Sequence, residues 1–185
     1  YDDDGNLLRD GRWTNSWNGE NRLVKTESLP TVPDEFKVCV ENEYDYLGRR
    51  FRKTVKDDYS GGSYSTTNVT TYVWDGMNII TEMCDAGYTN FNTWGIDISG
   101  TMQSAGGVGG LLAVTRLDGA EASSYFPAYD GQGNICQYID DNGTVVAARE
   151  YSPFGVTIAL TGDKKDDFTH WWSTKPVSYT HLRAH

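Results

Sequence analysis

Cysteine, proline, basic charge and long apolar runs are all in short supply. The chain of 185 residues carries 3 cysteines and 5 prolines. Cys39, Cys84 and Cys136 lie far apart with no CxxC spacing. An odd count cannot pair completely, so neither a disulfide framework nor zinc ligation is expected. No stretch reaches the roughly 18 consecutive apolar residues of a membrane-spanning helix, and no secretory signal pattern is present. The chain also lacks an initiator Met and opens inside a motif, so a fragment of something longer is expected. Helical periodicity with caps is missing too. Basic residues number 16 against 26 acidic ones, a net charge of −10. That field repels phosphate backbones and anionic lipid, which argues against nucleic acid or a membrane surface as partner. The one mixed basic run, RRFRK at 49–53, reads as the solvated face of a strand.

What is abundant points one way. Twenty glycines, 12 tyrosines and 6 tryptophans suit many short strands joined by tight turns, an all-β architecture. A degenerate repeat organises them: an aromatic followed by Asp or Asn at Tyr1-Asp2, Trp17-Asn18, Tyr44-Asp45, Trp74-Asp75 and Tyr129-Asp130. Tyr151-Ser152 keeps the aromatic and exchanges the acid. A glycine-containing turn and then a strand-like run follow each pair. The aromatic ends a strand, the Asx side chain accepts a backbone N–H two residues on, and glycine takes the left-handed conformation. Gly5, Gly48, Gly76 and Gly131 are the turn glycines expected beside Asp2, Asp45, Asp75 and Asp130. Asn142-Gly143 reads as a two-residue hairpin turn. The expected fold is an extended, twisted antiparallel sheet of consecutive β-hairpins.

Sharper chemistry finds little footing. Asp2, Asp3 and Asp4, like Asp140 and Asp141, sit where turn chemistry already requires them. DDDGN fails as a calcium loop, because Gly5 precedes Asn6 and position twelve is Trp13. GGVGG is not followed by Lys-Ser/Thr, so it is no phosphate cradle. His170, His181 and His185 show no metal-ligand spacing in context, and the acceptor patterns at Asn68 and Asn142 are of the kind that arises by chance. No catalytic, cofactor-binding or metal-binding residue is expected. The tryptophans Trp13, Trp17, Trp74, Trp94, Trp171 and Trp172 could form a sugar-stacking platform, but strand packing accounts for their positions.

The stretches YDDDGNLLRDGRW, WNGENRLV, TWGIDISGTMQSAGGVGGLLAV and YDGQGNICQYIDDNGTVVAAREYSPFG resemble the YD repeats of bacterial RHS (rearrangement hot-spot) proteins. Their unit ends in Tyr-Asp-Pro-Phe-Gly, where this chain has Ser152 at the Asp position. FTHWWSTKPV is similar to the start of the stretch that leads into the RHS-associated core. The resemblance implies residues 1–161 as repeat sheet and 162–177 as the lead-in to the core. Residues 178–185 resemble a translated cloning or adapter tail and are expected to be non-native. It also implies a hollow β-cocoon that encloses a C-terminal toxin cargo, with the rest of the shell and that cargo as partners. The full-length protein would be secreted or at the cell surface. The alternative is a surface adhesion or carbohydrate-binding YD-repeat protein.

Overall fold

In the computed structural model, residues 1–152 and 156–168 are described. The chain is all-β. Its strands are β1 (Trp13–Trp17), β2 (Leu23–Ser28), β3 (Cys39–Tyr44), β4 (Arg50–Lys56), β5 (Asp58–Ser60), β6 (Ser63–Ser65) and β7 (Asn68–Asp75). There follow β8 (Asn78–Cys84), β9 (Tyr88–Trp94), β10 (Leu111–Asp118), β11 (Glu121–Tyr129), β12 (Ile135–Asp140), β13 (Val145–Tyr151) and β14 (Thr157–Thr161). Twelve of them form one antiparallel sheet in the order β1-β2-β3-β4-β7-β8-β9-β10-β11-β12-β13-β14. β5 and β6 make a separate two-stranded sheet between β4 and β7. Among the described residues a 3-10 turn at Asp34–Phe36 is the single helical element.

The contacts divide the chain into two compact units, Tyr1–Val73 with Met83–Ala86, and Trp74–Glu82 with the stretch from Gly87 on. In the first unit, the register sorts charge by face. One row runs Lys25, Glu41, Thr54 and Val69; beside it Glu43 faces Arg52 and Cys39 faces Lys56. The pairs Lys25–Glu27, Lys56–Glu41 (2.7 Å) and Arg52–Glu43 (3.1 Å) lie on this charged face. The opposite face carries the rows Asn15, Thr26, Val40, Val55, Asn68 and Asn42, Lys53, Thr70. Lys37 holds its ammonium 4.0 Å from the Tyr59 ring of the small β5–β6 hairpin.

The second unit has its own core. Leu111, Val114, Tyr125, Ile135, Tyr138, Ala147 and Phe168 are buried together. Phe168 belongs to the segment that leaves β14, and its ring stacks on Tyr138 at 3.8 Å while meeting Tyr125 edge-on at 5.1 Å. Two polar ties hold the segment down: Lys164 N–H donates to Val146 O at 3.0 Å, and Arg116 reaches Asp167 O at 3.3 Å. Gly162 starts the crossing with φ 100°, where a Cβ would overlap the Val146 carbonyl. Cys39 and Cys84 are buried and Cys136 half-buried, all free thiols. Pro153, Phe154, Gly155, His170, Trp171, Trp172 and the tail 178–185 lie outside the described residues, so the readings placed on them have no structural counterpart here.

Candidate functional site

The chemistry of this chain is concentrated where its strands reverse. At Asp45 the backbone N–H donates to Arg49 O (2.9 Å), and Gly48 N–H donates back to Asp45 O (2.9 Å). The Asp45 carboxylate accepts from Leu47 N–H and Arg49 N–H, both at 2.9 Å, and from the Arg49 guanidinium at 2.7 Å. Gly48 has φ 78°. This is a tight turn followed by a left-handed residue, the G1-bulge way of joining two strands. The same bonds recur from Asp2 to Asn6 with Gly5 at φ 82°, and from Asp130 to Asn134 with Gly133 at φ 79°.

Several members differ from the sequence reading. In the Asn18 turn the left-handed position falls on Asn21 (φ 57°), not on Gly19. In the Asp130 turn it falls on Gly133, two residues past Gly131. A left-handed residue is needed after the turn, where the strands rejoin, not inside it. Asn142-Gly143 is no two-residue turn: Asp140 N–H donates to Thr144 O, and only Gly143 has positive φ. Trp74-Asp75 leads instead into a short reversal with Gly76 at φ 54°, where the Gln103 amide spans Met77 N–H and Asp75 O. At Ser152 the hydroxyl accepts from Val156 N–H at 3.0 Å, as an Asp oxygen does elsewhere.

Asp97 was not foreseen. It starts the same turn, with Gly100 at φ 77°, and its second oxygen accepts from Ala105 N–H (2.7 Å) and Gly107 N–H (3.2 Å). One buried carboxylate thus pins the glycine-rich loop before β10. The signal was GIDISG, an Asx-x-x-Gly without an adjacent aromatic.

The aromatics do more than end strands. Tyr44 Oη donates to Leu23 O at 2.8 Å, Tyr129 Oη to Leu111 O at 2.5 Å, and Tyr151 Oη to Ile135 O at 2.9 Å. Trp17 Nε1 donates to Leu7 O at 3.0 Å and Trp94 Nε1 to Ile79 O at 2.8 Å. The acceptors share a place. Leu23 and Ile135 lie past the last paired residues of their ladders, Lys25 with Glu41 and Gln137 with Ala148. A carbonyl left without a strand N–H would cost free energy if buried, and the ring tip replaces the missing donor. Asn15, Asn42 and Asn92, each two residues before its aromatic, add a second donor to the same Leu7, Leu23 and Ile79 carbonyls. This Asn-x-aromatic element went unread in the sequence. Tyr1, in the equivalent place of the first repeat, is 82% exposed.

The electrostatics fit a scaffold. Burial raises the Asp45, Asp97 and Asp130 carboxyls, but the hydrogen bonds they accept outweigh it and hold all three below the usual range. Asn6 is the main cause of the same lowering at Asp2. Burial pushes the Tyr129 and Tyr151 hydroxyls up to about 12, keeping them protonated donors. Among the described residues no group of His, Cys, Asp and Glu could hold a metal ion. Trp13, Trp17, Trp74 and Trp94 are half-buried, and no helix among the described residues is long and apolar enough to cross a membrane.

No protein-family profile matches the chain. Among curated proteins it is similar to the tRNA3(Ser)-specific nuclease WapA of Bacillus spizizenii, 28% identical over 158 residues. That match covers 84% of this chain and 6% of the nuclease. Among solved structures it resembles a Photorhabdus luminescens Tc holotoxin pore, with TM-score 0.56 and 13% identity over 88% of this chain and 8% of that one. TcdB2-TccC3 gives TM-score 0.59 and 14% identity over the same shares. At these identities the structural likeness speaks for the fold, and the chain spans less than a tenth of the length of each of these proteins.

Proposed function

We propose, from its similarity to WapA and its structural likeness to the Tc toxin proteins, that the chain is an RHS/YD-repeat protein and builds part of the wall of a hollow β-shell enclosing a C-terminal toxin polypeptide. Residues 1–161 supply wall, 162–177 lead toward the core, and the aromatic-Asx signature is the device that keeps the wall closed on itself. The work is sequestration: steric exclusion and burial, with no bond made or broken by this segment. The nuclease activity named for the WapA relative would belong to the much larger part of that protein outside the match.

The observation that carries the reading is the strand order, which follows the sequence except where the β5–β6 hairpin is set aside between β4 and β7. Each strand of a meander can be added without a crossover, so a sheet of this kind grows in one direction for as long as the repeat continues. The carboxylates of Asp2, Asp45, Asp97, Asp130 and Asp140 are engaged in turns, and the ring tips of Trp17, Tyr44, Trp94, Tyr129 and Tyr151 in carbonyl capping, which leaves them poor material for a catalytic pocket.

Limited proteolysis tests it. The chain is expressed with the sequence encoded on either side of it, and digestion of the downstream polypeptide is followed by mass spectrometry. Resistance that disappears when the turns are disrupted is expected; digestion at the rate of the isolated downstream polypeptide would overturn the reading.

A further inference from the structure

Asparagine followed by glycine occurs at Asn18-Gly19 and at Asn142-Gly143, and the fold treats the two pairs differently. Such a pair is open to attack by its own backbone, because glycine has no Cβ to shield its amide nitrogen. Asn18 opens its turn. Its Oδ1 accepts from Glu20 N–H and Arg22 N–H, both at 3.0 Å, and the residue is half-buried. Asn142 stands inside its turn instead, where Asp140 does the capping through Asn142 N–H and Thr144 N–H. The Asn142 Nδ2 donates to Asp141 Oδ1 at 3.2 Å, and its Oδ1 has no partner among the described residues. Residues Asp141, Asn142, Gly143 and Thr144 are all exposed, and nothing lies within 4 Å of where a Gly143 Cβ would stand.

Attack requires the asparagine Cγ to swing onto the next residue's nitrogen. At Asn142 the swing loosens an exposed side-chain contact, and the Gly143 N–H gives up its 3.1 Å bond to Asp140 O. The Asp140 carboxylate keeps its own hold on Thr144 N–H meanwhile. At Asn18 the reacting side chain is itself the cap. Its swing pulls Oδ1 off both backbone donors, which opens the turn joining β1 to β2. The same dipeptide is therefore accessible in one hairpin and locked in the other.

We propose that Asn142 is a site of spontaneous covalent modification, in which the Gly143 nitrogen closes a succinimide ring on the Asn142 side chain. The bond from that nitrogen to Cγ forms as the bond from Cγ to Nδ2 breaks. The Gly143 proton passes to the departing nitrogen, which leaves as ammonia. Water then opens the ring at one carbonyl or the other, giving aspartate or isoaspartate at position 142. Isoaspartate routes the main chain through Cβ and adds an atom to the turn. That addition displaces Gly143 from φ 82° and Thr144 N–H from the Asp140 carboxylate, now 2.7 Å away. The β12–β13 hairpin thus ages, while the β1–β2 hairpin is spared. The site is independent of the shell reading.

Ageing the 185-residue chain in neutral buffer made with heavy-oxygen water, followed by tryptic peptide mapping, tests it. The heavy oxygen marks only the conversions that occur during ageing, and electron-transfer fragmentation separates isoaspartate from aspartate. In folded chain, Asn142 should convert at least about fivefold faster than Asn18, the factor expected from the extra hydrogen bonds that Asn18 must break. In urea the two rates should come together. Aged chain should melt below both fresh chain and the Asn142→Asp variant, which carries the new charge without the extra backbone atom. Equal conversion at the two positions in folded chain, faster conversion at Asn18, or conversion at Asn142 only after unfolding would overturn the proposal. A difference that persists undiminished in urea would overturn it as well, since the fold would then not be its cause.

Discussion

The Tyr129 hydroxyl donates to the Leu111 carbonyl at 2.5 Å, across the margin where β10 and β11 part. The last paired residues of that ladder are Val114 and Tyr125, so Leu111 O has lost its strand donor and the phenol supplies one. Tyr129→Phe keeps the ring and deletes the bond. It should lower stability by about 1–2 kcal/mol, the cost of a buried carbonyl left unpaired. Denaturant melts should show a lower midpoint at unchanged slope, and Tyr44→Phe should behave alike in the first unit.

Gly133 and Gly131 separate the two readings of the Asp130 turn. Gly133→Val forces a β-branched residue to φ 79° and should cost about 1–2 kcal/mol or more. Gly131→Val meets open space at ordinary φ and should stay within about 0.5 kcal/mol. Gly143→Val should follow Gly133→Val. Thermal melts of the three variants check the order.

Gly162→Ala should free the crossing segment. The added methyl would overlap Val146 O at a backbone angle that glycine alone adopts readily, and Phe168 depends on that crossing to reach Tyr138. A loss of about 2 kcal/mol is expected, with reduced near-ultraviolet circular dichroism from the ring stack.

Stability should fall at both ends of the pH scale. The folded carboxyls of Asp45, Asp97 and Asp130 are depressed, so their contribution is present above the unfolded value of about 3.9 and is lost as pH drops through the folded values. Tyr129 and Tyr151 are raised, so their contribution is whole below the unfolded value of about 10 and is lost as pH climbs toward 12. Melting temperature against pH should show a plateau between the two limbs, and Asp97→Asn should shrink the acid one.

Among the described residues β14 is the last strand of the sheet order, and Val156 and Ile158 on and beside it are exposed. Such an edge invites pairing with other chains, so the chain alone should self-associate. Ile158→Lys should shift sedimentation profiles toward monomer; a wild-type chain that is cleanly monomeric would contradict the expectation.

The legible part of the fold was local. Asx side chains and the left-handed glycines at Gly5 and Gly48 act within a few residues, so the turns at Asp2 and Asp45 could be placed from spacing alone. The carbonyl capping was not legible, because Tyr44 finds Leu23 only through the pairing of β2 with β3. Gly131 misled because two glycines stood in one turn, and position after the reversal, not proximity to Asp130, decides which turns left-handed. The run 49–53 does not present one face for a related reason: the bulge at Tyr44 moves Arg50 onto a face that simple alternation would deny it.

The β5–β6 hairpin has an engineering consequence. β4 pairs with β7 directly, Arg52 to Thr71 through Val55 to Asn68, although the hairpin lies between them in sequence. Its tip, Gly61-Gly62, has positive φ at both residues and open space around it. A passenger peptide spliced between those glycines would ride outside the ladder, shifting no pairing on either flank. That tip is the place to mount a tag or reporter.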